Sequence, residues 1–433
     1  MNQSVINALK SADDTRFMDV GVAIIPRIAE FFERCFADQK AIIICDKTTW
    51  DVAGKTISNI MRDAQLLDDC FIFDSHKPYA GWENVEKLDA RLRTTDAVPV
   101  AVGSGTINDL TKLASAHNDR QYMCVPTAAS VDGYTAYGAS ITHEGAKKTF
   151  FCPAPFAVFA DVDIIRNAPP EMTAAGYADL FAKIPAGADW ILADALDVEK
   201  IEPAPWSIVQ DSLKDALADP EGISARKPAA VEALFDGLIL SGFAMQCARS
   251  SRPASGAEHY FSHLWNMEHH THNGEMPSHG FQVGVATLAV SQLYEKMLTE
   301  PMEMLDIDAA VSQWLSWDEQ IALFRSMFTD DLLKMAIDQS KEKYIGRDEL
   351  AVQLTTLRDN WQEIKHRLEH QLIPSQEVRR RLKAAGAPTD PQEIGITPAR
   401  MRASYRRAQC LRSRFTILDV AVRTSLLDKW LSE

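Results

Sequence analysis

Six of the eleven histidines fall between His259 and His279, in the stretch SRPASGAEHYFSHLWNMEHHTHNGEMPSHGFQVG that runs from Ser251 to Gly284. Imidazole is the commonest protein ligand for divalent transition metals, so this density points to a metal centre. The Ala, Glu, Leu and Met content of 257–272 predicts a helix, which sets His259 and His263 at i and i+4 on one face. Asn273, Gly274 and Pro277 interrupt that helix, and His279 opens the next apolar run. A third imidazole can therefore return from a second element. His259 and His279 each abut a small-residue turn, Ser255-Gly256 and Ser278-Gly280, where a ligand can approach. His269, His270 and His272 spread over several faces and read as surface residues as readily as functional ones.

That set lacks an acid. Two histidines and one carboxylate, with positions left open, are the usual holder of a catalytic divalent ion. Asp179, in AAGYADLFAK, stands between Ala178 and Leu180 of an apolar helical run, a costly place for a charge unless a cation pairs with it. A plain helix-surface aspartate is the competing reading.

Two further motifs bring small residues to the ends of strand patterns. Gly103-Ser104-Gly105-Thr106-Ile107-Asn108-Asp109 follows one apolar run and opens a helical one, so the backbone can approach a pyrophosphate and the helix amides can bind it. Asn108 takes the third glycine's place in the usual GxGxxG, and a merely structural turn is the alternative. Asp46 ends an earlier strand pattern, where an acid can accept from a ribose hydroxyl or simply sit in an exposed turn. A carboxylate there disfavours a 2′-phosphate, although Lys47 and Thr48 soften the choice between NAD and NADP. In PTAASVDG, Thr127, Ala128, Ala129 and Ser130 lie just beyond another strand. Thr127 and Ser130 could contact a cofactor, and Asp132 could orient a substrate hydroxyl or close a turn.

The elements that must position these residues follow from periodicity. Apolar runs at 41–45, 70–73, 98–102 and 122–125 alternate with helical patterns at 52–66, 85–92 and 107–116, which predicts a mostly parallel sheet with helices on both faces. From Pro170 onward helical segments dominate: 171–196, 206–218, 229–248, 257–272, 280–298, 347–370 and 400–431. The expected fold is an α/β Rossmann-like dinucleotide-binding domain over 1–165, then an all-helical metal- and substrate-binding domain over 166–433. Two domains suit 433 residues.

Composition narrows the function classes. A formal charge of −15 argues against nucleic-acid binding. With 46% hydrophobic and 24% charged residues, the chain reads as globular. Seven scattered cysteines without a CxxC pair fit free thiols in a reducing cytoplasm. No signal-peptide pattern opens the chain, and no stretch reads as a membrane span.

Together, GSGTIND, PTAASVDG, GYADLFAK, SRPASGAEHYFSH and MPSHGFQVG resemble the sn-glycerol-1-phosphate dehydrogenases, in particular the bacterial branch encoded beside arabinose operons. That branch belongs to the superfamily of dehydroquinate synthases and iron-containing alcohol dehydrogenases. The resemblance is strong over about 40–300 and looser in AGAPTDPQEIGITPARM and YRRAQCLRSRFTILDVA. It implies a dehydroquinate synthase-like fold, with Asp179, His259 and His279 holding one zinc, nickel or iron ion. It places His263, Asp132 and Asp179 at the substrate. Asp46, the turn from Gly103 to Asp109, and Thr127 to Ser130 then contact NAD(H) or NADP(H). The implied reaction interconverts dihydroxyacetone phosphate and sn-glycerol 1-phosphate, in a homodimer or larger homo-oligomer. A dehydroquinate synthase-like cyclase and a glycerol or polyol dehydrogenase are the alternatives. Arg249, Arg252, Lys147 and Lys148 are the candidates for the substrate phosphate. Ala136 stands where archaeal relatives carry a serine near the cofactor, with Thr135 as the substitute.

Overall fold

A computed structural model describes residues 1–144 and 146–432. The chain forms two compact units, the first comprising Met1–Leu180, Ala204–Ser251 and Ala384–Gly386, the second Phe181–Pro203, Arg252–Lys383 and Ala387–Glu433.

The first unit is built on a six-stranded sheet. Its strands are β1 (Phe17–Gly21), β2 (Ala41–Asp46), β3 (Leu67–Phe73), β4 (Val98–Gly103), β5 (Met123–Pro126) and β8 (Ala157–Asp161), and their order is β1-β8-β5-β4-β2-β3. Every pairing is parallel. The two central strands read as unbroken apolar runs because helices cover both faces, and every residue of β2 and β4 is buried. Ile43, Cys45, Val100, Val102, Met123, Val125 and Phe159 pack with Phe31, Phe32, Ile57 and Met61 into its core. β2 lies between β3 and β4, so the chain reverses direction across the sheet there. Such a switch point, outside the carboxyl ends of the strands, is where open α/β sheets bind ligands. Asp46 ends β2, Gly103 ends β4 and Pro126 ends β5, which brings the three motifs expected at a cofactor to neighbouring positions on one edge.

The pattern reading lacked β1, β8 and an antiparallel hairpin, β6 (Ala139–His143) with β7 (Ala146–Phe150). In the same unit, the helix Pro228–Ala248 is long and apolar enough for a membrane span. The protein buries 78% of its apolar window, the mark of a core helix.

The second unit is helical, with no named strand among its described residues. The expected helix over 171–196 is two helices, α2 (Pro170–Phe181), which belongs to the first unit up to Leu180, and α3 (Lys183–Ala195) of the second, where α1 is Gly105–His117. Pro185 explains the break, because its ring clashes with the carbonyl four residues earlier and it has no N–H to give. Likewise 347–370 divides at Asn360, and 400–431 divides into three pieces. α4 (Ala257–Met267) stops earlier than its composition suggested, since His269, Asn273 and Gly274 all take left-handed backbone. After that loop α5 (His279–Thr299) begins. Gln282 ties the two ends of the loop, donating to Asn266 Oδ1 at 2.9 Å and to the Pro277 carbonyl at 2.8 Å. Phe261 of α4 meets Tyr405 edge-on at 5.0 Å, and Trp265 Nε1 donates to Ser404 Oγ at 2.9 Å, which seats α4 on the helix Pro398–Gln409.

Candidate metal and nucleotide site

His259 and His263 stand one turn apart on α4, with ring centroids 6.5 Å apart, and the His259 ring lies 5.3 Å from that of His279. His279 is the first residue of α5, whose start is capped by Ser278 Oγ accepting from Phe281 N at 3.3 Å. Each of these two rings, His259 and His279, is held through Nδ1. His259 Nδ1 lies 2.8 Å from Glu258 Oε1, and His279 Nδ1 lies 3.1 Å from Ser262 Oγ. In that arrangement Nε2 is the ring nitrogen that could hold a metal. Asp179 of the first unit offers a buried carboxylate, and His259 and His279 of the second offer two imidazoles. One hard oxygen and two borderline nitrogens are a donor set that fits a divalent zinc, nickel or iron ion.

Asp179 is buried on α2, and its helix is held against the PTAAS loop by Gly176. A Cβ at Gly176 would stand 1.9 Å from the Ala129 carbonyl oxygen, so only glycine permits this approach. Of the other histidines, His270 is buried in a structural role, its ring 2.6 Å from the Ile394 carbonyl and 2.7 Å from Arg400.

At the sheet edge, α1 starts at Gly105, and Ser104, its N-cap residue, makes no side-chain capping bond. The first-turn amides of α1 can therefore serve an anion. Thr127 N donates to the Gly103 carbonyl at 3.1 Å, linking the two motif loops. Ala128, Ala129 and Ser130 are buried, while Thr106 is half-buried and Ile107 fully so. Asp46 is buried rather than exposed, and Oδ1 caps the following turn by accepting from Thr49 N at 2.7 Å. Asp132 accepts from Ser241 Oγ at 2.8 Å.

Two expected contacts turn out to be structural. The Asn108 side chain donates to the Gly133 carbonyl at 3.3 Å and accepts from Tyr122 Oη at 3.0 Å, so its amide braces the loop instead of a cofactor. Thr135 is fully buried and gives its hydroxyl to the Ile239 carbonyl at 2.8 Å, which removes it as a stand-in beside Ala136. The two arginines are also committed. Arg252 donates to the carbonyls of Asp189 and Phe415 and pairs with Glu199 at 3.1 Å. Arg249 pairs with Asp13 at 3.6 Å and lies over the Tyr137 ring. Lys148 pairs with Glu144 at 2.7 Å.

Three residues of the site escaped the sequence reading. Lys112 is buried and donates to the carbonyls of Gly133, Ala136 and Gly138 at 2.9, 2.9 and 3.0 Å, which clamps the loop after Asp132. Its signal was a lone cation in the apolar helix LTKLASA. It also lies 3.6 Å from Asp109, which accepts from Ser140 N at 3.2 Å; burial pushes the Asp109 carboxyl up, with Lys112 opposing. Glu258 and Asp189 are both fully buried beside His259. Burial, and then the Glu258 charge, push the Asp189 carboxyl well above the usual range. Lys147, on β7, keeps solvent contact yet is surrounded by enough protein that desolvation lowers its pKa, with Asp109 and Asp179 acting the other way.

A family model described as iron-containing alcohol dehydrogenase matches residues 19–169. A Geobacillus thermodenitrificans protein named glycerol-1-phosphate dehydrogenase (NAD(P)+) is 30% identical over 432 residues, covering 96% of this chain and 97% of its own length. A Halalkalibacterium halodurans protein of the same name is 34% identical over 264 residues, 60% of this chain and 66% of its own. Among solved structures, a probable glycerol dehydrogenase from Sinorhizobium meliloti superposes with a TM-score of 0.61 at 16% identity, over 97% of this chain and 98% of its own, which shows a shared fold. With nearly its whole length matched at 30% identity, the chain belongs to the glycerol-1-phosphate dehydrogenase family.

Proposed function

We propose that the protein is an NAD(P)-dependent, divalent-metal-dependent sn-glycerol-1-phosphate dehydrogenase that interconverts dihydroxyacetone phosphate and sn-glycerol 1-phosphate. The observation that carries this reading is the 30% identity to a protein of that name over 96% of this chain, in which Asp179, His259 and His279 supply one acid and two imidazoles for a metal. We assign cofactor binding to the sheet part of the chain, 1–165, and metal and substrate binding to 166–433.

Gly103 and Gly105 let the backbone approach the cofactor's pyrophosphate, and the first-turn amides of α1 receive its charge. Asp46 keeps Oδ2 for a ribose hydroxyl, since Oδ1 is spent on its cap. Thr127 and Ser130 would contact the same cofactor. When bound, a divalent cation supplies Lewis acidity at the C2 oxygen and NAD(P)H supplies the hydride. Asp179 and Asp132 orient the three-carbon substrate, and Ser241 fixes the Asp132 carboxylate for that purpose. His263, one turn along α4 from His259, passes a proton to the C2 oxygen in reduction and takes it back in oxidation. The substrate phosphate falls to Lys147, because Arg249, Arg252 and Lys148 are held by other partners.

The resemblance to the family supports a homodimer or larger homo-oligomer, which sedimentation measures. All seven cysteines stand as free thiols, which supports a cytoplasmic setting. The test of function is an assay with dihydroxyacetone phosphate, NADH or NADPH, and zinc, nickel or iron. Stoichiometric oxidation of the nicotinamide with sn-glycerol 1-phosphate as product supports the proposal. Activity confined to unphosphorylated glycerol, or turnover of a heptulosonate phosphate without net cofactor change, contradicts it.

A further inference from the structure

Glu258 is an acid in the first turn of α4 and has no exposed surface. A buried carboxylate needs compensating donors. Oε1 finds two: it accepts from Gly256 N at 2.6 Å and faces His259 Nδ1 at 2.8 Å. The backbone around it is equally constrained. Asp189, from α3, accepts from Ala257 N at 2.7 Å through Oδ2, and from Tyr294 Oη at 2.6 Å and Ile417 N at 2.8 Å through Oδ1. Asp189 thus fixes the residue just before Glu258 to α3, α5 and the segment at Ile417. Gly256 completes the cage. A Cβ there would stand 2.4 Å from Asp189 Oδ2, 2.9 Å from the Ala186 Cα and 2.9 Å from Glu258 Oε2.

We infer that Glu258 is a positioning residue of the metal site, accepting the Nδ1–H of His259 so that the ring keeps one tautomer and presents Nε2 as ligand, with Asp189 and Gly256 holding Glu258 in register. The inference rests on the metal-site reading above. Carboxylates behind a ligating imidazole fix its orientation and raise its basicity, and their loss typically weakens metal binding about 10- to 100-fold. His279 Nδ1 faces the hydroxyl of Ser262. Behind the His259 ring the facing group is a carboxylate.

The experiment compares wild-type protein, Glu258→Gln and Glu258→Asp. Cobalt(II) and zinc affinities are measured by chelator competition and the cobalt visible spectrum is recorded, with circular dichroism as the check on folding. The expected result is a folded Glu258→Gln protein that binds metal about 10- to 100-fold more weakly with an altered cobalt spectrum, and partial recovery in Glu258→Asp. Wild-type affinity and spectrum in Glu258→Gln would overturn the inference while leaving the metal site standing. Failure of wild-type protein to bind stoichiometric metal would overturn both. If neither variant folds, long-range 15N–1H spectra of wild-type histidines decide: a His259 ring protonated at Nδ1 supports the inference, and one protonated at Nε2 overturns it.

Discussion

Gly176 and Ala129 are in backbone contact: the carbonyl oxygen of Ala129 occupies the space where a side chain at residue 176 would begin, 1.9 Å from an added Cβ. Three residues further along the same helix face is Asp179, so this contact sets the acid relative to the PTAAS loop. Gly176→Ala must push backbone against backbone, since the other near atoms are the Ala129 carbonyl carbon and the Ser130 Cα. The expected cost is about 1–3 kcal/mol of stability, with a fall in kcat as Asp179 shifts. Thermal melts and steady-state assays check it, and an unchanged melt with full activity would show that the contact relaxes freely.

Lys112 satisfies three carbonyl oxygens of the loop that follows Asp132. Lys112→Met keeps the length and removes every donor, leaving buried acceptors without a partner. A loss of about 3 kcal/mol is expected, together with a raised KM for the substrate as Asp132 loses its support. Chemical denaturation and kinetics measure the two effects separately. A stability loss with KM unchanged would confine Lys112 to a structural role.

The amine on β7 and the two arginines make opposite predictions. Lys147→Ala is expected to raise the KM for dihydroxyacetone phosphate about tenfold or more, the loss of one charge-assisted contact to a phosphate. Arg249→Ala removes a pair with Asp13 at the surface and should leave that KM within about twofold. Equal effects of the two substitutions would rule out the assignment of Lys147.

Asp236 gives a pH signature far from the chemistry. Its carboxyl accepts from Asn2 N at 3.2 Å, Oδ1 has no hydrogen-bond partner among the described residues, and burial pushes its pKa up from 3.8 to about 6. A carboxyl raised by folding binds its proton more tightly in the native state. Its favourable contribution is therefore complete below pH 3.8 and is lost as pH rises through about 6. Asp236→Asn should stabilise the protein by about 2 kcal/mol at pH 7.5 and by progressively less toward pH 4. Melting curves across that range test it, and a gain independent of pH would point to packing instead of charge.

What the sequence disclosed follows the physics of each signal. The GSG turn and the PTAAS loop were legible because the strands before them, VPVAVG and MCVP, are continuous apolar runs. The histidines were legible because six in so short a span is improbable without a task. β1 and β8 were not, since five-residue strands such as FMDVG carry too little periodicity to separate from a loop. Asn108 and Thr135 misled because a polar side chain in a binding motif looks the same whether it faces a ligand or braces the loop behind it. Glu258 was hidden for a related reason: an acid in the first turn of a helix is ordinary, and only its burial beside His259 gives it meaning. Asp189, inside AGADWILADA, joins Glu258 through the fold alone, because nothing in chain order links residues so far apart.

The most direct test is the metal content of purified wild-type protein beside Asp179→Ala, His259→Ala, His279→Ala and His263→Ala, measured by elemental analysis after removal of loosely bound ions. The account predicts about one divalent ion per chain in wild-type and His263→Ala proteins, and near-complete loss in each of the other three. Full occupancy in any folded variant of Asp179, His259 or His279 would contradict it.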